Sequence, residues 1–180
     1  AQKTLDLAKP YRSFRDNTIV GIDLDGSEHV GHPPQDFQEV FAYARAVKNG
    51  IHRTVHAGEV GGPESVREAL DILNTERIGH GYRVVEDEAP YLMKRLREKN
   101  IPLEVCPWSN VMLGAVESLT EHPIARLMDA GVPVTLNTDD PLYFGGTYST
   151  EYYMVMQQGG FTTDKEELKR LAMNAIKAAF

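Results

Sequence analysis

The stretch Thr54-Val55-His56-Ala57-Gly58-Glu59 decides how this chain folds. It contains an apolar strand pattern, Arg53–Ala57, that runs directly into a glycine and a glutamate. Gly58 predicts a tight turn that aims Glu59 back over the end of the strand, because glycine adopts left-handed backbone angles at no steric cost. The alternative interpretation is a solvent-exposed Glu59 near a helix N-terminus. Either way, the stretch predicts a strand with titratable groups at its carboxyl end.

The same strand pattern recurs along the chain and alternates with helical patterns. The predicted strands are Thr18–Leu24, Arg53–Ala57, Arg77–His80, Ile101–Pro107 and Val132–Thr138. The predicted helices are Pro34–Asn49, Pro63–Asn74, Asp87–Lys99, Glu121–Asp129 and a last one that begins at the capping-box pattern Thr163–Glu166. Strands that alternate with helices predict parallel βαβ units.

Two α/β architectures fit five such strands. One is an open five-stranded sheet, and the other is the last five strands of a TIM-type (β/α)8 barrel. A complete barrel takes about 250 residues, whereas this chain has 180. In both architectures ligands bind at the carboxyl ends of the strands, so the residues at those ends decide the function.

Composition and charge narrow the class of protein. The net charge of -7 argues against nucleic acid or an anionic membrane as the main partner. No apolar run approaches the roughly 18 residues of a membrane-spanning helix. A single cysteine, Cys106, excludes an internal disulfide and is consistent with a reducing, cytoplasmic location. The chain starts at Ala1 without a secretory pattern or an initiator methionine, so we expect it to begin within a longer protein.

Four of the predicted strands end in titratable groups. His56 and Asp139 follow different strands, and imidazole nitrogen and carboxylate oxygen are both good zinc ligands. His80 lies between two glycines, which leave its ring uncrowded. Each group also has a structural interpretation: a lone histidine is more often a packing residue, and Asp139-Asp140-Pro141 fits a turn in which Asp140 caps a helix.

Other residues that suggest chemistry are better explained by structure. We interpret His52 as structural because it opens its predicted strand, far from the carboxyl end. His122 precedes a helix start at Pro123 and receives the same interpretation. Cys106 is typical of a buried small apolar residue, and Trp108 is interpreted as a packing residue.

Four motifs in this order resemble the adenosine deaminase family of the amidohydrolase barrels. They are Thr54–Glu59, Arg77–Tyr82, Leu103–Asn110 and Leu136–Pro141. The resemblance extends from about Thr18 to the C-terminus. It implies that residues 1–180 form a single catalytic domain, a partial barrel with its last five strands.

The resemblance also implies a role for the matching residues. His56 and Asp139 resemble zinc ligands, for one Zn²⁺ per active site. Glu59 resembles the proton donor to the purine ring nitrogen, and His80 resembles the group that orients or deprotonates the attacking water. Three residues resemble purine-binding or pocket groups: Gly26 through its backbone N–H, Asp140 and Asp23.

The sequence departs from the family pattern in two places. The family carries a His-x-His pair of zinc ligands on its first strand, and this chain has no His-x-His. We therefore expect the first three strands and the missing ligands to be supplied in cis or in trans, and the chain alone to fold poorly and to be inactive. The second departure is Asp25, which stands before Gly26 where a small residue is common.

The expected reaction is hydrolysis of adenosine, and of 2′-deoxyadenosine, to the hypoxanthine nucleoside and ammonia in purine salvage. Adenine deaminase is the nearest alternative, and Gly79 before His80 favours the nucleoside enzyme because base-specific relatives carry Asp there. AMP deaminase is disfavoured because no phosphate clamp is evident. A non-catalytic purine-binding relative is the alternative from another class.

Overall fold

The structure is a computed structural model. It describes residues 3, 6, 19–28, 33–46, 50–86, 90–147, 152, 160 and 164–180. Parts of four predicted elements lie outside these residues: Thr18, residues 47–49, residues 87–89 and Thr163.

The described residues contain one parallel sheet of five strands. The strands are β1 (Gly21–Leu24), β2 (His52–Ala57), β3 (Arg77–His80), β4 (Leu103–Val105) and β5 (Val134–Leu136). They lie side by side in the order β1-β2-β3-β4-β5, and every neighbouring pair is parallel. The prediction of parallel βαβ units is confirmed. An open doubly wound sheet reverses its strand order at a switch point, so the unbroken order favours the barrel.

Helices connect the strands. They are α1 (Gln38–Arg45), α2 (Pro63–Asp71), α3 (Pro90–Lys99), α4 (Pro107–Met112), α5 (Ile124–Asp129), α6 (Pro141–Phe144) and α7 (Lys165–Ala178), with 3₁₀ turns at Pro34–Phe37 and Tyr82–Val85. Helix α4 was not predicted, since it is too short to show a helical period. Helix α6 lies where the alternative interpretation of Asp139-Asp140-Pro141 places a helix start, with Asp140 at the N-cap position. Both begin at a proline, which is favoured at the first position of a helix.

The core lies between the sheet and its helices. Strand residues such as Val55, Ile78 and Leu103 are buried together with helix residues such as Val66 and Leu96. Because these strand residues are buried against the helices, the sheet forms a rigid platform for the loops at the carboxyl ends of its strands. None of the helices described is both long and apolar enough to cross a membrane.

Helix α7 covers the edge strand β5. Leu171 is fully buried against the core, and Asn174 Nδ2 donates a hydrogen bond to the Val134 carbonyl at 3.0 Å. The N-cap of this helix is Asp164, whose carboxylate accepts from the Glu166 backbone N–H. The helix therefore begins one residue later than the capping-box pattern predicts, since that pattern makes Thr163 the N-cap.

Candidate active site

The side chains predicted from the strand ends come together at one edge of the sheet. Asp23 belongs to β1, His56 to β2 and His80 to β3, and Asp139 follows β5. His80 and Asp139 both adopt left-handed backbone angles, with φ of 60° and 57°. Few non-glycine residues do so, and here the conformation turns the chain sharply just where the side chains converge.

The His56 ring is held by Asp23 on one side and by Gly79 beneath it. The Nδ1 atom lies 3.2 Å from Asp23 Oδ1. A Cβ atom at Gly79 would lie 2.9 Å from the ring, so only glycine leaves room for it. Burial alone would lower the pKa of His56, but the hydrogen bond to Asp23 and the surrounding carboxylates outweigh burial and raise it to about 9.

His80 is the buried centre of the cluster, with only 3% of the residue exposed. Its ring centroid lies 5.2 Å from that of His56. Its Nδ1 atom is 3.5 Å from Glu59 Oε1, and its Nε2 atom is 3.8 Å from Asp139 Oδ2. Burial lowers the pKa of His80 to about 4, with the nearby His56 acting in the same direction. The imidazole of His80 is therefore neutral at pH 7.

Glu59 is a carboxyl group that keeps its proton unusually well. Burial comes first among the causes, and the negative charges of Asp139 and Glu28 act in the same direction, so that the pKa of Glu59 rises to about 6. Its Oε1 atom accepts a hydrogen bond from Asn110 Nδ2 at 3.1 Å. A carboxyl group with a pKa close to neutrality is suited to general acid catalysis.

The two neighbouring aspartates after β5 diverge. Asp139 Oδ2 accepts a hydrogen bond from Ser109 Oγ at 2.6 Å, within the cluster. Asp140 is exposed and takes the N-cap position of α6. Its carboxylate makes no capping hydrogen bond to the described residues of the helix, which leaves it for contacts outside the helix.

Glu28 joins the loop after β1 to the loop after β2. Its carboxylate accepts hydrogen bonds from the backbone N–H groups of Glu59 at 3.2 Å, Val60 at 3.1 Å and Gly61. Gly26, with φ of 120°, lies in the same loop, and open space surrounds the position of a Cβ atom there. A cavity of about 450 Å³ is lined by this loop and by His56.

The remaining predicted residues lie where the sequence placed them. His52 is at the opposite end of β2, with Nδ1 3.2 Å from Glu76 Oε2. Trp108 Nε1 donates to the Phe144 carbonyl at 2.9 Å and so ties α4 to α6. His122 is buried and hydrogen-bonded to Asn110.

Sequence reasoning missed three residues of the site. Ser109 and Asn110 lie in a motif that the sequence singled out, but neither type is a strong ligand or acid, and nothing marked their contacts with Asp139 and Glu59. Glu28 lies in a loop, and no local pattern signals that its carboxylate reaches residues more than 30 positions away.

The cluster offers donor atoms that suit a metal ion. The His56–Asp23 hydrogen bond uses Nδ1, so Nε2 is the nitrogen of His56 left to face a ligand. One buried atom of His80, Nδ1, has no hydrogen-bond partner among the described residues. Asp139, His80 and Cys106 also bring three donor atoms within 4.8 Å of one another. Nitrogen, oxygen and sulfur donors of this kind fit zinc.

Comparison with known proteins assigns the family. Residues 1–180 match the adenosine deaminase family. Adenosine deaminase from Mus musculus is 49% identical over 178 residues, 99% of this chain and 49% of the relative. Adenine deaminase from Streptomyces coelicolor is 47% identical over 180 residues, 100% of this chain and 50% of the relative.

A solved structure gives the same assignment. An amidohydrolase from Burkhoderia ambifaria, with bound zinc, superimposes with a TM-score of 0.83 at 30% identity, over 98% of this chain and 47% of that one. This chain spans about half the length of the curated relatives that it matches. The chain therefore belongs to the adenosine deaminase family, and its five-stranded sheet is part of a TIM-type amidohydrolase barrel.

Proposed function

We propose that the protein containing this chain hydrolyses the C–N bond of the purine amino group in adenosine and 2′-deoxyadenosine, releasing ammonia. The observation that carries the proposal is the cluster of His56, Glu59, His80 and Asp139 at the carboxyl ends of neighbouring strands. It combines candidate metal donors, a protonatable acid and a neutral imidazole. A binding protein without chemistry has no need of an acid with a raised pKa beside a buried neutral histidine.

We propose that His56 and Asp139 hold one Zn²⁺ per active site. Asp23 supports this role of His56, since a carboxylate on the second ring nitrogen orients a metal-binding imidazole. When bound, zinc supplies Lewis-acid activation of the hydrolytic water. A catalytic zinc site has at least three protein ligands, so we propose that further ligands come from polypeptide outside this chain, in cis or in trans.

Proton transfer is proposed for Glu59 and His80. The purine ring nitrogen gains electron density when water adds to the adjacent amino-bearing carbon, and a protonated Glu59 neutralises it by donating a proton. The neutral ring of His80, 3.5 Å from Glu59 and 3.8 Å from Asp139, is placed to orient the attacking water or to accept its proton.

Purine binding is proposed for Asp140 and for the backbone N–H of Gly26. Both follow the carboxyl end of a strand, as Glu59 does. Asp140 is exposed, and open space surrounds the Cβ position of Gly26. The small-molecule nucleoside is then the partner, with neither nucleic acid nor membrane involved, and the proposed location is the cytoplasm. Residues 1–180 would form part of one catalytic domain.

The preference for adenosine over adenine is proposed from Gly79. Position 79 lies directly beside the His56 ring, as the 2.9 Å approach of an added Cβ shows. A larger residue there would displace the His56 ring. Relatives with both names match this chain at similar identity, so adenine deamination remains the competing proposal.

The test is an assay of the natural, full-length protein loaded with zinc. Adenosine, 2′-deoxyadenosine, adenine and AMP are supplied in separate reactions, and ammonia release is followed with metal content measured alongside. We expect turnover of both nucleosides and little of adenine or AMP. Faster turnover of adenine would transfer the proposal to the free base, and turnover of none of them would refute the deaminase function.

A further inference from the structure

His122 is a buried histidine that the proposed chemistry does not use. It lies in the segment before α5, with 5% of the residue exposed. It is far from the strand ends in sequence, but it contacts Asn110, which in turn contacts Glu59. A buried ring in this position connects the acid of the site to the interior of the protein.

A series of hydrogen bonds leads from the Ile124 backbone through His122 and Asn110 to Glu59, and each group donates to the next. The backbone N–H of Ile124 donates to His122 Nδ1 at 3.2 Å, so Nδ1 carries no proton. The proton of the neutral ring is then on Nε2, which lies 3.2 Å from Asn110 Oδ1. This donation fixes the Asn110 amide, whose Nδ2 donates to Glu59 Oε1 at 3.1 Å. Burial lowers the pKa of His122 to about 4, which keeps the ring neutral.

A second contact holds the backbone of the same glutamate. The Tyr82 hydroxyl donates to the Glu59 carbonyl oxygen at 2.8 Å. The Tyr82 ring packs against the His122 ring, with centroids 5.3 Å apart. Both the side chain and the backbone of Glu59 are therefore held by groups assembled around His122.

The two oxygens of Glu59 are not equivalent in this arrangement. Among the described residues, the carboxyl group of Glu59 accepts a side-chain hydrogen bond from Asn110, and it does so on Oε1. An amide N–H donor favours the unprotonated oxygen of a carboxylic acid, because the carbonyl oxygen is a better acceptor than the hydroxyl oxygen. The acidic proton of Glu59 is thereby directed to Oε2.

We propose that His122 is a positioning residue that acts through Asn110 to make Oε2 of Glu59 the oxygen that delivers the proton. The proposal rests on the proposed deaminase function. Without His122, the Asn110 amide loses the partner that fixes its orientation and can present its oxygen to Glu59 instead. The carboxyl group would then bind its proton on either oxygen, and a fraction of the enzyme would be misaligned for proton transfer.

The test uses the full-length protein and His122→Leu, alone and combined with Glu59→Gln. We expect His122→Leu to lower kcat about 10-fold with KM and zinc content unchanged, in the range found when supporting partners of a site are removed. In the Glu59→Gln background the same change should cost nothing further, because the proton it positions is gone. An equal loss in both backgrounds would mean a merely structural role and would overturn the proposal. His52→Leu, at the other end of the sheet, is the matched control and should retain wild-type kcat.

Two further measurements remain decisive if His122→Leu does not fold. The amide of His122→Gln can accept from Ile124 and donate to Asn110, so this variant should recover most of the activity. Nitrogen-15 spectra of the histidine-labelled wild-type protein at pH 7 should show His122 neutral and protonated on Nε2. Protonation on Nδ1, or a charged ring, would overturn the proposal. Lack of deaminase activity in the wild-type protein would refute the proposed function instead, and the spectra would still report on the hydrogen-bond chain.

Discussion

Strand β2 carries a histidine near each end, and each ring lies 3.2 Å from a carboxylate oxygen. At the amino end His52 pairs with Glu76 and stacks on Phe180, with ring centroids 4.4 Å apart. At the carboxyl end His56 pairs with Asp23 at the same distance. The local pair is thus the same at both ends of the strand.

The surroundings of the two pairs differ. Glu76 also binds the Arg53 guanidinium at 3.0 Å, so the charges at the amino end are balanced. At the carboxyl end, Glu59 and His80 have strongly shifted pKa values, raised and lowered in turn, because burial opposes their charged forms. A histidine–carboxylate pair therefore does not make a site by itself. Unbalanced, buried titratable groups around the pair do.

The sharpest way to break this comparison is to change one glutamate at each end. Glu59→Gln should lower kcat by about 10²–10⁴, the usual scale for removing a general acid, while zinc remains bound, because Gln keeps the shape but donates no acidic proton. Glu76→Gln is the matched control and should leave kcat near that of the wild-type protein. Steady-state kinetics with metal analysis measures both, and near-normal activity of Glu59→Gln would remove it from the mechanism.

Replacing each histidine by alanine tests the same difference through the amount of bound zinc. His56→Ala should lose bound zinc and activity together, since a proposed ligand is removed. His52→Ala should keep both and lose only part of its stability, because an exposed ion pair contributes little. Metal content after gel filtration, with kcat, decides the matter. Equal zinc loss in both variants would contradict the assignment.

A smaller effect is expected from the second of the neighbouring aspartates. Asp140→Ala should mainly raise KM, by about 10-fold for the loss of one hydrogen bond to a charged group, with zinc content unchanged. Asp139→Ala should lose the metal, because the two side chains diverge. Substrate titrations and metal analysis of both variants test this division, and metal loss from Asp140→Ala would contradict it.

The free energy of unfolding should decrease in acid because of His122. The pKa of this residue is about 4 in the folded protein and 6.5 in its unperturbed form, so between these values the unfolded chain binds more protons. The free energy of unfolding should then fall as the pH falls from 6.5 to 4, by about 3 kcal/mol from this group. The melting temperature of the full-length protein, measured at several pH values in this range, should depend less steeply on pH in His122→Gln than in the wild-type protein. Parallel slopes would show that the group does not contribute.

The smallest effect is expected at Cys106. Its sulfur is near His80 and Asp139, but it also lies 3.5 Å from the Glu104 carbonyl oxygen. Under the proposed ligand pair, Cys106→Ser should keep its zinc and most of its activity. Loss of zinc would make Cys106 a ligand and would require a different metal site.

The strands and the convergence of their ends could be predicted from the sequence. Short runs such as Arg53–Ala57, rich in β-branched residues and bounded by glycine, are typical of buried strands. Parallel strands bring their carboxyl ends to one end of the sheet. The choice between an open sheet and a barrel needed the structure, because it depends on the strand order. Strand order is a property of the tertiary structure and is not contained in any local sequence pattern.

The connections between site residues could not be predicted. The contact from Asn110 to Glu59 joins residues 51 positions apart, and both the amide and the buried His122 look like ordinary packing residues in the sequence. His122 was interpreted as structural from its neighbour Pro123, and only its hydrogen bonds show a connection to the acid. The short helix α4 was missed because six residues are too few to show a helical period.

The unbroken strand order also bears on how the protein is made. Each strand from β2 onward pairs with the strand that precedes it in the sequence, so during translation every new strand finds its neighbour already outside the ribosome. Strand β5, which precedes Asp139, emerges after the other four strands of the described sheet. The proposed zinc donors His56 and Asp139 are therefore separated until β5 has docked. A nascent chain that stalls before Val134 would carry His56 and Glu59 but not Asp139.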